Sequence, residues 1–421
     1  MKMKALTIAV ALACTATSVT SFAGTPNFSG YGRYASEASD DTIYGIQADN
    51  SKINGVGRLG NEGNWMEWAL SQDFVVDKAT FDMKVMLDTP GFATSTTAEQ
   101  NEDGSIKIDE GWRSADVQVK QFYGGGKGIF ESQPEAYVWG GKRFYGREQT
   151  GLNDYFMMSG DGAGAGVDNL DFGWAKFDAG WIQGGNGALS SNQNDGNISA
   201  ILLHLHDIKV GESGKLKFRT TFAGLSGNIA DDQDIKNDTA MQFYTGYHHS
   251  LSNGWFQLSA RYETDSLALS GANAAGWTIG GNADHEAAGY MLFLNGAVDF
   301  TEMASMEYAA AYLYTDCKDD EGCGDAKFDD QMEYNATVRP QISWNEYMAT
   351  ALEAGYQYSQ VDNSDNDSTA WKVTLSQNFQ LGHFMWSRPV VRFYAVTGST
   401  KHVNNKSDDT NKVGAMVEAW W

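Results

Sequence analysis

Trp65 lies two residues before Glu67, Tyr31 two before Arg33, and Trp420 two after Glu418. In extended chain, residues i and i+2 point to the same side, so each pair presents a flat ring and a charge on one face. Each ring stands on the polar face of an alternating segment, where its apolar area is wasted unless something covers it. Tyr244 is placed the same way, on the face shared by Gln242, Gly246 and His248. Any one of these rings also fits a wall-packing role. Their recurrence near both ends of the chain points to a surface for weak, releasable contact rather than for bond-making.

Other chemistry finds little support. There is no nucleophile motif, phosphate loop or zinc spacing, and with 54 carboxylates no catalytic pair stands out. The chain is therefore not read as an enzyme, and no cofactor is expected. His204 and His206 share one face of a strand, but no third ligand lies near them in sequence, so they read as polar wall positions and no metal site is expected. His248 and His249 are adjacent and face opposite ways. Cys317 and Cys323, in TDCKDDEGCGD, have no His or further Cys nearby and suit a loop disulfide in an oxidising compartment. The acidic run DNSDND (362–367) lacks the glycine and spaced acid of a calcium loop and reads as a solvated turn.

The elements that must position these residues are strands. Residues 1–23 read as a secretory signal: Lys2 and Lys4, an apolar run from Ala5 to Ala13, then Ser21-Phe22-Ala23. Ala11, where a lipobox prefers Leu, argues against lipidation of Cys14. The apolar run is shorter than the ~20 residues of a spanning helix. Removing the signal leaves 398 residues (421 − 23) with net charge −26 (28 − 54), which excludes nucleic acid as a partner. Gly at 47, Pro at only 5 and 13% aromatics describe many glycine turns between aromatic strands.

Polar–apolar alternation recurs in segments of about 8 to 10 residues. Met66, Trp68, Leu70 and Phe74 alternate with Trp65, Glu67, Ser71 and Asp73. Similar segments start at Phe81, Phe256, Leu352 and Trp371. Charges repeatedly take the enclosed side. The ending VGAMVEAWW sets Val413, Ala415, Val417, Ala419 and Trp421 on one face, as a last strand that closes onto the first would. Acidic Gly/Asn/Asp-rich stretches such as 98–110, 190–197, 230–238 and 316–330 read as long loops. The expectation is an all-β chain: one transmembrane antiparallel β-barrel over 24–421, of about 18 strands at ~22 residues per hairpin-linked strand. No fixed short repeat supports a β-solenoid.

The segment YVWGGKRFYGREQTGLNDYF (137–156), followed by GAGAGVDN (162–169), resembles the inward-folded third loop of the maltoporins, the sugar-specific outer-membrane porins of LamB type. FSGYGR (28–33), RLGNE (58–62), WSRP (386–389) and the final AWW extend the resemblance over most of the chain. It implies a homotrimeric channel in the Gram-negative outer membrane, surrounded by lipid and lipopolysaccharide, through which oligosaccharides diffuse. Tyr31, Trp65, Tyr244, Trp386 and Trp420 would form an aromatic slide. Arg33, Arg58, Glu67, Arg113, Arg147 and Asp154 would form the polar track, with Arg147, Asp154 and Phe156 at the constriction. Trp65 requires a one-residue deletion after RLGNE, and the slide aromatic that a neighbouring subunit's second loop donates in the family has no clear counterpart here, Phe92 being the candidate. The family pattern has Asp, His and Tyr where this chain has Gln149, Gly151 and Phe156, so the throat is expected to be wider and less ionic. A general ion-selective porin, a porin for another sugar such as sucrose or aryl glucosides, and a barrel-borne enzyme or adhesin are the competing readings.

Overall fold

The computed structural model describes residues 24–39, 45–90, 94–100, 106–112, 117–184, 197–226, 239–269, 286–318, 322–323, 330–361 and 367–421. The signal segment, Arg113 and Phe92 lie outside the described residues. Eighteen antiparallel strands form one closed sheet. The first strand, Asn27–Ser39, pairs with Trp65–Val76 on one side and with the last strand, Ser407–Trp420, on the other, so neither edge is left open. Its register sets Arg33 opposite Glu418 and Tyr31 opposite Trp420 across the seam, and Arg33 opposite Trp65 on the other flank. Short turns such as 77–78, 211–213 and 252–253 join the strands at the end that holds Gly24 and Trp421, and the connections 45–64 and 144–161 start from the other.

The two faces are inverted relative to a water-soluble sandwich. Glu353, Gln357, Lys372 and Glu418 are fully buried, whereas Leu292, Leu375, Phe393 and Val413 are more than half exposed. Apolar groups outside and ionic groups inside are what a lipid-embedded, water-lined barrel requires, because neighbouring residues along a strand face opposite solvents.

Two segments fold into the barrel, where the sequence pointed to one. The expected one follows the strand Tyr137–Arg143 and carries a small ribbon, Glu148–Thr150 against Tyr155–Met158. Met157, Met158, Leu152 and Tyr155 pack with Phe293 and Leu313 of the wall. The second is residues 45–64. Its apolar side chains Ile46, Ile53, Val56 and Leu59 are buried. Its backbone polar groups are met by wall side chains: Lys372 Nζ donates to the Gly57 and Leu59 carbonyls at 2.6 Å, and Leu59 N–H donates to Glu353 at 2.9 Å. Those ionic wall residues thus replace the water that a surface loop would use. Gly57 sits at φ 92°, and a Cβ there would meet Glu353 Oε1 at 2.4 Å, so this approach requires glycine. The two inward segments also bond to each other, Arg58 N–H to the Leu152 carbonyl and Asn153 Nδ2 to the Asn54 carbonyl, each at 3.0 Å.

Outside the barrel sheet, Thr94–Gln100 and Ile106–Trp112 pair as a hairpin, so much of the stretch read as a loop over 98–110 is strand. Cys317 and Cys323 are disulfide-bonded with their Cα atoms 5.7 Å apart.

At the opening, His402 joins residue 49 of the inward segment to the last hairpin: Nδ1 lies 2.8 Å from Asp49 and Nε2 2.9 Å from Asp408. The bond to Asp49, then that to Asp408, outweigh partial burial and hold its pKa above the ordinary 6.5. A raised pKa means that the tether is complete below the unfolded value and is lost as pH rises through the folded one. The protection of residues 45–64, taken relative to the intrinsic base-catalysed exchange rate at each pH, is therefore expected to be lower at pH 8.5 than at pH 6, and His402→Ala to abolish that difference. Equal protection at both pH values in the unsubstituted protein would show that this tether does not hold the segment.

Candidate functional site

The inner wall beside the closing seam carries a continuous row of rings and ions. Trp65 donates its indole N–H to Glu67 at 2.8 Å, and Lys120 Nζ lies 5.4 Å from the centre of its ring. Arg33, one pairing away, donates to Asp154 of the constriction segment at 3.0 Å. Tyr31 donates its hydroxyl proton to Glu418 at 2.9 Å. Past the seam, the Arg388 guanidinium lies 4.8 Å from the Trp420 ring and 5.5 Å from that of Trp386, so one cation borders both indoles. Trp386 reaches inward from the turn 381–389 and donates its indole N–H to Glu307 at 2.5 Å.

Glu418 is the hub of this row. Its fully buried carboxylate contacts Arg58 at 2.6 Å, Arg388 at 2.6 Å and Arg392 at 2.9 Å. Arg58 also pairs with Glu62. Four side chains from three distant stretches are thereby fixed beside Tyr31 and Trp420. A carboxylate among several guanidiniums is strongly favoured in its charged form, and the guanidiniums in turn need it.

The constriction has its own ionic lock. Arg147 pairs with both oxygens of Asp161, with Nε at 3.0 and 2.8 Å. Its guanidinium lies between the rings of Phe144, at 3.2 Å from the centroid, and Phe156, at 4.8 Å. Gln149 donates its side-chain amide to the constriction, Nε2 reaching Asp154 Oδ1 at 3.0 Å; an Asp at 149 would set two carboxylates against each other. Gly151 has a matching reason. A Cβ on it would stand 2.0 Å from the Trp386 ring, so that indole occupies the space a side chain would need. Gly151→His is expected to displace Trp386 and shift tryptophan emission. An unchanged emission maximum would contradict this packing.

One expected ring is not available. Tyr244 is on the inner face, but it is only 4% exposed against 43% for Trp420. It lies in the apolar cluster beneath the constriction segment, with its hydroxyl on Ser259 at 2.9 Å. It has no free face for a ligand. A ring that the sequence reading omitted stands nearby: Trp255, stacked on His248 with centroids 5.5 Å apart, borders a cavity of about 390 Å³ with Glu148, Gln257 and Asn295. Trp255 shares a face with Gln257 and Arg261. The signal is present in the sequence, but the alternation read from Phe256 starts two residues late, because the strand begins at Gly254. Arg388 and Arg392 were likewise unassigned, because their partner Glu418 is remote in sequence.

The LamB porin family profile matches residues 27–421. The chain belongs to the LamB porin family. A protein named maltoporin from Vibrio cholerae serotype O1 (strain ATCC 39315 / El Tor Inaba N16961) is 29% identical, with 99% of this chain and all of that one covered. A maltoporin from Hahella chejuensis is 30% identical, covering 93% and 92%. Among solved structures, OccAB1 of Acinetobacter baumannii superposes with a TM-score of 0.53 at 10% identity, over 94% of this chain and 96% of that one, a likeness of fold alone. A LamB porin is an outer-membrane channel of Gram-negative bacteria, and this barrel is read accordingly.

Proposed function

We propose that this LamB porin is a passive, saccharide-selective channel whose ring-and-ion row guides glucosyl chains past the throat at Arg147, Asp154 and Phe156. The observation that carries the reading is the unbroken succession Trp65, Arg33, Tyr31, Glu418, Trp420, Arg388 and Trp386 on one side of the lumen. Ring faces match the apolar faces of pyranoses, and the ions exchange hydrogen bonds with hydroxyls; each contact is weak enough to release. Trp255, and not Tyr244, supplies the further ring beyond the constriction. Trp255→Ala is expected to weaken maltodextrin binding threefold to tenfold, and Tyr244→Phe to leave it unchanged; the reverse order in a sugar titration would reinstate Tyr244. The homotrimer implied by the maltoporin resemblance belongs to this reading, and the molar mass of the detergent-solubilised protein tests it.

Gln149, Gly151 and Phe156 favour a second reading, selectivity for another saccharide through the altered throat. Swelling of proteoliposomes in isosmotic maltotriose and raffinose, both trisaccharides, separates the readings. Faster entry of maltotriose is expected. Faster raffinose entry would move the preference to another sugar, and equal entry would leave a general porin.

A further inference from the structure

Asp178, His204 and His206 meet on the inner wall near the short-turn end, apart from the ring row. Asp178 lies on the strand Lys176–Gly184 and pairs in register with His204 of Asn197–Val210. His204 and His206 share a face, as the sequence indicated. The third group, missing from the sequence neighbourhood, is supplied by the adjacent strand.

Nδ1 of His204 is 3.1 Å from one Asp178 oxygen, and Nε2 of His206 is 3.1 Å from the other. The imidazoles lie parallel within 24°, with centroids 4.6 Å apart. A tetrahedral ion with bonds of 2.0–2.2 Å holds its ligand atoms about 3.3 Å from one another. One nitrogen or oxygen from each residue already lies within 4.8 Å of the other two.

Two outer contacts orient the set. His206 Nδ1 lies 3.4 Å from Asp207, which turns Nε2 toward the cluster, and Asn169 N–H donates to Asp178 at 2.7 Å. A carboxylate behind a ligating histidine is the usual support of a metal site. Asn169 and Asp207 both adopt left-handed backbone, φ 60° and 55°, at breaks in strand register. Bulges of this kind re-aim side chains, and here two of them converge on one cluster. Simple hydrogen bonding of Asp178 to two wall histidines accounts for the first contacts. It leaves His206 between two carboxylates, of which Asp207 is shared with Lys215 at 3.0 Å.

We propose that Asp178, His204 and His206 bind one divalent transition cation of the zinc type. Two imidazole nitrogens and one carboxylate suit borderline ions and not magnesium or calcium, which take oxygen. The ligand side chains are 15–25% exposed, so a remaining coordination position faces the lumen.

The test is calorimetric titration of ZnCl2 into the detergent-solubilised full barrel, unsubstituted and as Asp178→Asn, His206→Ala and Asp207→Asn, each checked for folding by heat-dependent gel mobility. One zinc per chain is expected, with affinity reduced at least 100-fold by Asp178→Asn or His206→Ala, and about 10- to 100-fold by Asp207→Asn at unchanged stoichiometry. MgCl2 is expected to give no binding heat. Absence of zinc binding by the unsubstituted protein, or binding that Asp178→Asn and His206→Ala leave intact, overturns the site.

Discussion

Glu418→Ala is expected to be the most damaging single substitution in the lumen, costing about 3–5 kcal/mol of stability. Arg58, Arg388 and Arg392 all depend on that carboxylate. Removing it leaves three guanidiniums crowded around a void, of which, among the described residues, only Arg58 retains another carboxylate, Glu62. The consequence reaches function, because Tyr31 loses the acceptor of its hydroxyl proton and Arg388 the anchor that holds it beside Trp420 and Trp386. Urea unfolding in detergent, followed by tryptophan emission, measures the stability change. Glu418→Gln keeps the shape without the charge and is expected to fall between. A loss below about 1 kcal/mol in Glu418→Ala would show that water or lumen ions neutralise the cluster instead.

Replacing both Trp386 and Trp420 by alanine is expected to weaken maltodextrin binding about 100-fold. Each ring is credited with about 1.4 kcal/mol, the equivalent of a factor of ten. Neither indole is a buried core residue, so the barrel is expected to keep its heat-dependent gel mobility. The single substitutions should each cost about tenfold and combine additively, since a long sugar contacts the rings independently. Singles as damaging as the double would mean that the rings act as one unit, through Arg388 between them. An unchanged affinity in the double variant would remove these rings from the binding path.

The wall and the ring faces were legible in the sequence because both follow from local rules. Period-two alternation assigns Glu67, Tyr31 and Glu418 to the inside wherever Leu70, Val413 and Val417 face outward. The final alternating strand announced closure. What was not legible depends on partners far apart in the chain. Residues 45–64 show only a thin scatter of Ile46, Ile53, Val56 and Leu59 among polar residues, and their inward course is set by Lys372 and Glu353, some 300 positions on. Tyr244 was placed on the correct face, but alternation does not reveal that another segment covers it. Asp178 was invisible as a partner of His204 for the same reason: pairing of neighbouring strands, and not spacing along one, brings them together. Gln149 and Gly151 were legible as departures, while their cause, the Asp154 carboxylate and the Trp386 ring, required coordinates.

The central claim is that the lumen holds a sugar-binding row and is not merely a water-filled hole. Single-channel current through the reconstituted protein in planar bilayers, titrated with maltose, maltotriose, sucrose and raffinose, tests it most directly. The row predicts saturable closure by at least one of these sugars, stronger for maltotriose than for maltose, and moved to about 100-fold higher sugar concentration in the Trp386 and Trp420 double alanine variant. Current that no sugar reduces beyond the effect of solution viscosity would contradict it.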